Sequence, residues 1–123
     1  MTEKILYQRY IKPLFQTRGY FIQRFEQENI PDIFLAEDGY SCWVELKCIN
    51  KKSNLLKPSW RKGQLSWFKE FISKNNSISA CLCLWYDSHI YFLIPEKDYK
   101  IEDLNIKRFK PFYVYESVLN RTK

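Results

Sequence analysis

The strongest constraint on how this chain can fold lies between residues 31 and 47. Two stretches of strand composition, Asp32–Ala36 and Tyr40–Ile49, flank Asp38-Gly39, a strong hairpin-turn dipeptide. A chain that reverses there sets the start of its first strand against the end of its second. Asp32 lies about six residues before the turn and Glu45 about six after it, so antiparallel pairing puts the two carboxylates across from each other. Strand alternation aims Lys47 and Trp43 at the same face as Glu45, while Val44, Leu46 and Cys48 face the other way. Two acids and an amine converge, and the backbone carbonyl of Leu46 lies between them in sequence.

The flanking segments complete a mixed α/β layout in the order α-β-β-β-α-β-β. Ile5, Leu6, Tyr10, Ile11, Leu14 and Phe15 follow helical spacing from Glu3 to Arg18, with Gly19 as C-cap and Pro13 expected to kink or split the helix near Tyr10. Tyr20–Phe25 reads as a strand and Asn50–Pro58 as a polar, basic loop. Ser59 is a suitable N-cap for a helix reaching Lys74 with Leu65, Phe68 and Ile72 as its core stripe. Ile78–Tyr86 and Ile90–Ile94 are strands joined by a tight turn at Asp87-Ser88-His89, and Phe112–Tyr115 is a short strand. With 123 residues the chain suffices for one domain spanning 1–123, with a core of about 3–94 and a C-terminal extension of 95–123.

Composition excludes several classes. Only three glycines are present, too few for a Gly-rich phosphate loop, and no Ser/His/Asp or zinc-finger spacing occurs. Cys42 and Cys48 are six residues apart in one strand, on the order of 20 Å, and Cys81 and Cys83 lack CxxC spacing, so reduced, buried thiols are expected. His89, at a turn tip, reads as a plain surface residue. The charged start is no signal peptide and no apolar run reaches membrane-span length, so a cytoplasmic location is expected (host cytoplasm for a viral protein).

Net charge is +6, and its distribution is more informative than its size: between Glu45 and Glu70 there is no acidic residue, yet Lys47, Lys51, Lys52, Lys57, Arg61, Lys62 and Lys69 fall there. This is the pattern of a phosphate-tracking surface; Trp60 and Trp67, interleaved with Arg61 and Lys62, either pack half-buried, as aromatics at helical spacing commonly do, or stack bases. Asp32 and Glu45 offer the hard oxygen ligands that Mg²⁺ takes, with the Leu46 carbonyl as a further ligand and Mn²⁺ as a natural substitute. A lysine beside such a site can orient the attacking water and stabilise developing charge. A bare Glu-x-Lys is common on exposed strands; Pro-Asp, twelve residues, then Glu-x-Lys, with a turn midway, is far more specific.

That string, Ile30-Pro31-Asp32-Ile33-Phe34 with Trp43-Val44-Glu45-Leu46-Lys47, resembles the core of the PD-(D/E)xK nuclease superfamily, particularly virus-type replication-repair nucleases (VRR-NUC) and archaeal Holliday-junction resolvases. The resemblance covers about residues 3–94. It implies a restriction-endonuclease-like core with a mixed sheet flanked by helices, and a Mg²⁺-dependent endonuclease acting on DNA, selective for junctions, flaps or branches. It assigns Asp32 and Glu45 as metal ligands, Lys47 to the attacking water and Gln64 to a supporting place. Related proteins add a Glu from the first helix; here Gln8 stands in register, with Glu3 one turn earlier, and either fills that place. Lys51, Lys52, Lys57, Trp60, Arg61 and Lys62 would hold flanking DNA. A homodimer is expected because a junction cutter must address two strands. The alternative is a catalytically silent nucleic-acid-binding or assembly module on the same scaffold.

Overall fold

Helix formation begins at Thr2, whose hydroxyl accepts the Ile5 N–H at 3.2 Å and so caps the first turn. In the computed structural model, which describes residues 1–27, 30–74 and 78–112, α1 (Glu3–Leu6) continues through a π-helical turn (Tyr7–Ile11) into α2 (Lys12–Thr17). The expected break at Pro13 is thereby absorbed: the widened turn precedes it, and Pro13 occupies the first turn of α2, where a missing N–H costs little. Gly19, at φ +83°, ends the helix. Its N–H bonds to the Gln16 carbonyl and the Tyr20 N–H to the Phe15 carbonyl, the two bonds of a Schellman motif, and Phe15 and Tyr20 meet edge to face at 5.1 Å.

The chain then builds β1 (Phe21–Arg24), β2 (Ile33–Glu37) and β3 (Tyr40–Ile49) as an antiparallel meander. After β4 (Leu55–Leu56) and α3 (Gln64–Lys74), β5 (Ile78–Tyr86) returns parallel to β3, and β6 (His89–Leu93) pairs antiparallel with β5. The sheet order is β1-β2-β3-β5-β6, mixed as expected, and β7 (Tyr99–Lys100) pairs with β4 in a separate ribbon. Asp87 and Ser88 both take positive φ in the two-residue β5–β6 turn, a conformation that suits the right-handed twist of the flanking strands.

Both faces of the sheet are covered. Leu6, Tyr7, Ile11 and Phe15 pack on Ile33, Leu35, Cys42, Val44, Leu46, Cys81 and Cys83. Leu56, Tyr99 and Leu104 pack on Leu82, Leu84, Tyr86 and Leu93 opposite. Residues beyond 94 therefore contribute to the core, Phe112 included. Among the described residues no helix is long and apolar enough to cross a membrane.

Four local expectations are corrected. The helix starts at Gln64, five residues after Ser59, because the chain stays irregular through Gly63 at φ +80° and the Ser59 carbonyl binds a side chain instead. Its stripe is centred on buried Phe68, with Ile72 40% exposed. The Asn50–Pro58 loop contains β4, and Phe112 ends a 3₁₀ turn (Lys110–Phe112) rather than starting a strand; the rest of that expected strand, 113–115, lies outside the described residues.

Candidate active site

The site forms where β2 stops. Ile33 opposite Val44 is the last β2–β3 pair, while β3 runs on to Ile49 with only β5 beside it. Asp32, one residue before the strand, is held by its own carbonyl, which accepts the Phe25 N–H at 2.7 Å. Its Oδ2 accepts the Leu46 N–H at 2.8 Å, taking the place of the absent strand partner. A strand residue points its N–H and C=O to the same edge, so the Leu46 carbonyl also faces this notch.

Three carboxylates meet there. Oxygens of Glu3, Asp32 and Glu45 all lie within 4.8 Å of one another. Of the two first-helix residues that the sequence left open, Glu3 joins this cluster from the first turn of α1; Gln8 lies exposed in the π-helical turn, with Ile5 and Arg9 around it. Glu45 is 1% exposed and Lys47 5%. The Lys47 ammonium sits 3.4 Å from Glu45 Oε2, donates to the Ser59 carbonyl at 2.9 Å and lies 5.7 Å from the centre of the Trp60 ring. Among the described residues, Glu45 Oε1 is buried with no hydrogen-bond partner.

The electrostatics follow from this crowding. Burial, and then the neighbouring Asp32 charge, push the Glu45 carboxyl up to about 8, with Lys47 opposing them only in part. Glu3 is raised by burial and by Asp32, against the pull of Lys47, Arg61 and Arg24. Without a cation between them, three carboxylates this close favour holding a proton.

The remaining residues singled out from the sequence fall around this cluster in different ways. Gln64 opens α3, and its Oε1 accepts the Arg61 N–H at 3.0 Å. Trp60 is half-buried: its indole N–H donates to the Glu96 carbonyl at 2.9 Å, Phe68 lies 5.8 Å away and Lys47 sits over the ring. Its ring is thus engaged within the protein, the packing one of the two places that the sequence left open. Lys51, Lys52, Lys57, Arg61 and Lys62 are exposed, with Lys52 3.6 Å from Asp87. All four cysteines are free thiols, and Cys42 and Cys81 sulfurs come within 4.0 Å across adjacent strands.

Two participants were not singled out from the sequence. The Ser59 carbonyl fixes Lys47, a backbone role that no side-chain pattern signals. Arg24 closes β1 opposite Ile33, level with the notch; its guanidinium lies 5.4 Å from the Tyr7 ring and its charge acts on Glu3. Counting strand register outward from the hairpin would have found it.

Fold and site together define a mixed α/β domain of restriction-endonuclease-like fold, with an acidic cluster beside its central strand where β2 stops. No family model and no curated protein sequence matches the chain. Among solved structures it is similar to the Holliday junction resolvase Hjc of the archaeal hyperthermophile Archaeoglobus fulgidus, with a TM-score of 0.57 and 14% identity over 84% of this chain and 91% of that one.

Proposed function

We propose that this chain is a divalent-metal-dependent nuclease that hydrolyses DNA phosphodiester bonds and selects branched structures, such as junctions or flaps. The observation that carries the reading is the meeting of Glu3, Asp32 and Glu45 within 4.8 Å, beside a buried lysine. The donors fit a hard cation. They are oxygen throughout, they converge on one point, and one buried oxygen, Glu45 Oε1, lacks a hydrogen bond. Asp32, Glu45 and the Leu46 carbonyl would hold the ion, with Glu3 completing the acidic wall. When bound, Mg²⁺ (or Mn²⁺ in its place) supplies Lewis-acid polarisation of the phosphate and a more acidic water.

The chain's own groups supply the rest. Lys47 is held from behind by Ser59 and Trp60, so its ammonium is positioned before substrate arrives and costs no reordering. It orients the attacking water and offsets charge growing on the phosphate. Gln64 stiffens the approach to α3 through Arg61. Exposed Lys51, Lys52, Lys57, Arg61 and Lys62 bind the flanking backbone. The named substrate of the archaeal structure, the Holliday junction, supports a branched DNA target, and two strands to cut favour a homodimer.

The test is cleavage of labelled linear, flapped and four-way DNA with Mg²⁺ or EDTA. The parent should cut a branched substrate only with Mg²⁺, and Asp32→Ala and Glu45→Ala should lose cutting while keeping their circular dichroism. Variants that cut as fast as the parent would refute the assignment.

A further inference from the structure

One cavity near the carboxylates includes aromatic walls that have no part in the chemistry above. It measures about 250 Å³ and is lined by Pro31, Arg61, Lys62, Gln64, Trp67 and Phe68, among others. Pro31 is covalently next to Asp32, and Arg61 is near enough for its charge to act on Glu3, so the cavity lies near the acidic notch. Its floor is apolar and aromatic, while its rim carries two exposed cations. Trp67 is half-buried and stacked on Phe71 at 5.0 Å with an interplanar angle of 11°, edge to face with Phe68 at 5.2 Å. Gln64 spends its side-chain oxygen on the Arg61 N–H, so what it offers the cavity is the amide NH₂ donor.

A flat apolar ring tied to an anion is the shape that these walls complement. We propose that this cavity holds one unpaired nucleotide next to the cleaved bond, its base against Trp67 and Phe68 and its phosphate at Arg61 and Lys62. The assignment rests on the nuclease reading and deepens it. A cavity this small admits one base and not a pair, so the strand entering the notch must be unpaired at that nucleotide, as it is at a flap or a junction crossover. Base–aromatic stacking is tolerant of sequence, so the subsite favours structure over base identity.

The test uses the whole chain, ¹⁵N-labelled and kept in EDTA so that no cleavage enters the readout. Its four tryptophans give four indole N–H signals, and Trp67→Phe identifies the one of interest. Titration with dAMP should shift the Trp67 signal saturably and leave those of Trp43 and Trp85 in place. Deoxyribose 5-phosphate, which has no base, and deoxyadenosine, which has no phosphate, should each bind at least about fivefold more weakly. Arg61→Gln with Lys62→Gln should reduce dAMP to the level of deoxyadenosine. No Trp67 response to dAMP up to about 20 mM, a generous limit for a ligand of this size, would overturn the inference. So would equal binding of the base-free phosphate, or a Trp67 signal that moves with protein concentration, the mark of a second copy filling the cavity. A flat titration alongside intact Mg²⁺-dependent cleavage removes only the subsite. A dAMP response without cleavage on any substrate removes only the nuclease reading.

Discussion

The two faces of β3 carry opposite burdens. On one side Cys42, Val44 and Leu46 sink into an apolar layer closed by the first helical segment, and each is fully buried. On the other, Glu45 and Lys47 are nearly as buried, yet they are ionisable groups, and one Glu45 oxygen lacks a hydrogen bond. Removal of charge from water costs several kcal/mol per ion, and a single ion pair recovers this only in part. The apolar face therefore stabilises the domain, while the polar face is held in place at its expense. Stability and function separate across the thickness of one strand, and substitutions at adjacent residues should act in opposite directions.

The largest effect expected is on cleavage. Asp32→Ala and Glu45→Ala should each lower Mg²⁺-dependent cutting by at least about 10³-fold, and chelation with EDTA should match them. Single-turnover assays on a branched substrate would measure this. On the opposite face, Leu46→Ala should cost about 2–5 kcal/mol of unfolding free energy in urea titration. Glu45→Gln should do the reverse and raise the melting temperature of the metal-free protein at pH 8. If both substitutions destabilise alike, the contrast between the faces fails.

The pH dependence sharpens the same contrast. Burial and Asp32 hold the folded Glu45 carboxyl at about 8, above its ordinary value of 4.5. Between these values the folded state binds the extra proton, so the metal-free domain loses stability as pH rises, and the loss is complete above about 8. Chemical denaturation from pH 5 to pH 9 should show this decline in the parent and a much flatter profile in Glu45→Gln. A saturating divalent cation should offset the decline, because it replaces the proton.

Smaller effects separate the two residues of the first helix. Glu3→Gln should weaken divalent binding several-fold, whereas Gln8→Ala, on an exposed surface, should change stability and cleavage by less than about 0.5 kcal/mol. Comparable effects would show that the cluster extends beyond the three carboxylates. Smallest of all, loss of Lys51 or Lys57 should lower DNA affinity modestly and reduce the salt slope by about one each.

Much of this arrangement was legible in the sequence because strand alternation and the Asp38-Gly39 turn act over short distances. They put Asp32 against Glu45 and set Lys47 on the same side. What the sequence concealed depends on contacts distant along the chain or on backbone groups. The helix acid could not be chosen because helical counting assumes one period throughout, and the π-helical turn changes the period between Glu3 and Gln8. The late start of α3 was hidden because Ser59 serves Lys47 through its carbonyl, an atom that every residue has. Whether Trp60 packs or stacks stayed open because its partner, the Glu96 carbonyl, lies 36 residues further on.

Everything turns on whether the three carboxylates that meet where β2 stops form a cation site. Calorimetric titration of the metal-free protein with Mn²⁺ at pH 8 tests it most directly. The account predicts a saturable site in the parent that is lost in Asp32→Asn and in Glu45→Gln, with both variants folded. Undiminished Mn²⁺ binding in both variants, or none in the parent, would contradict it.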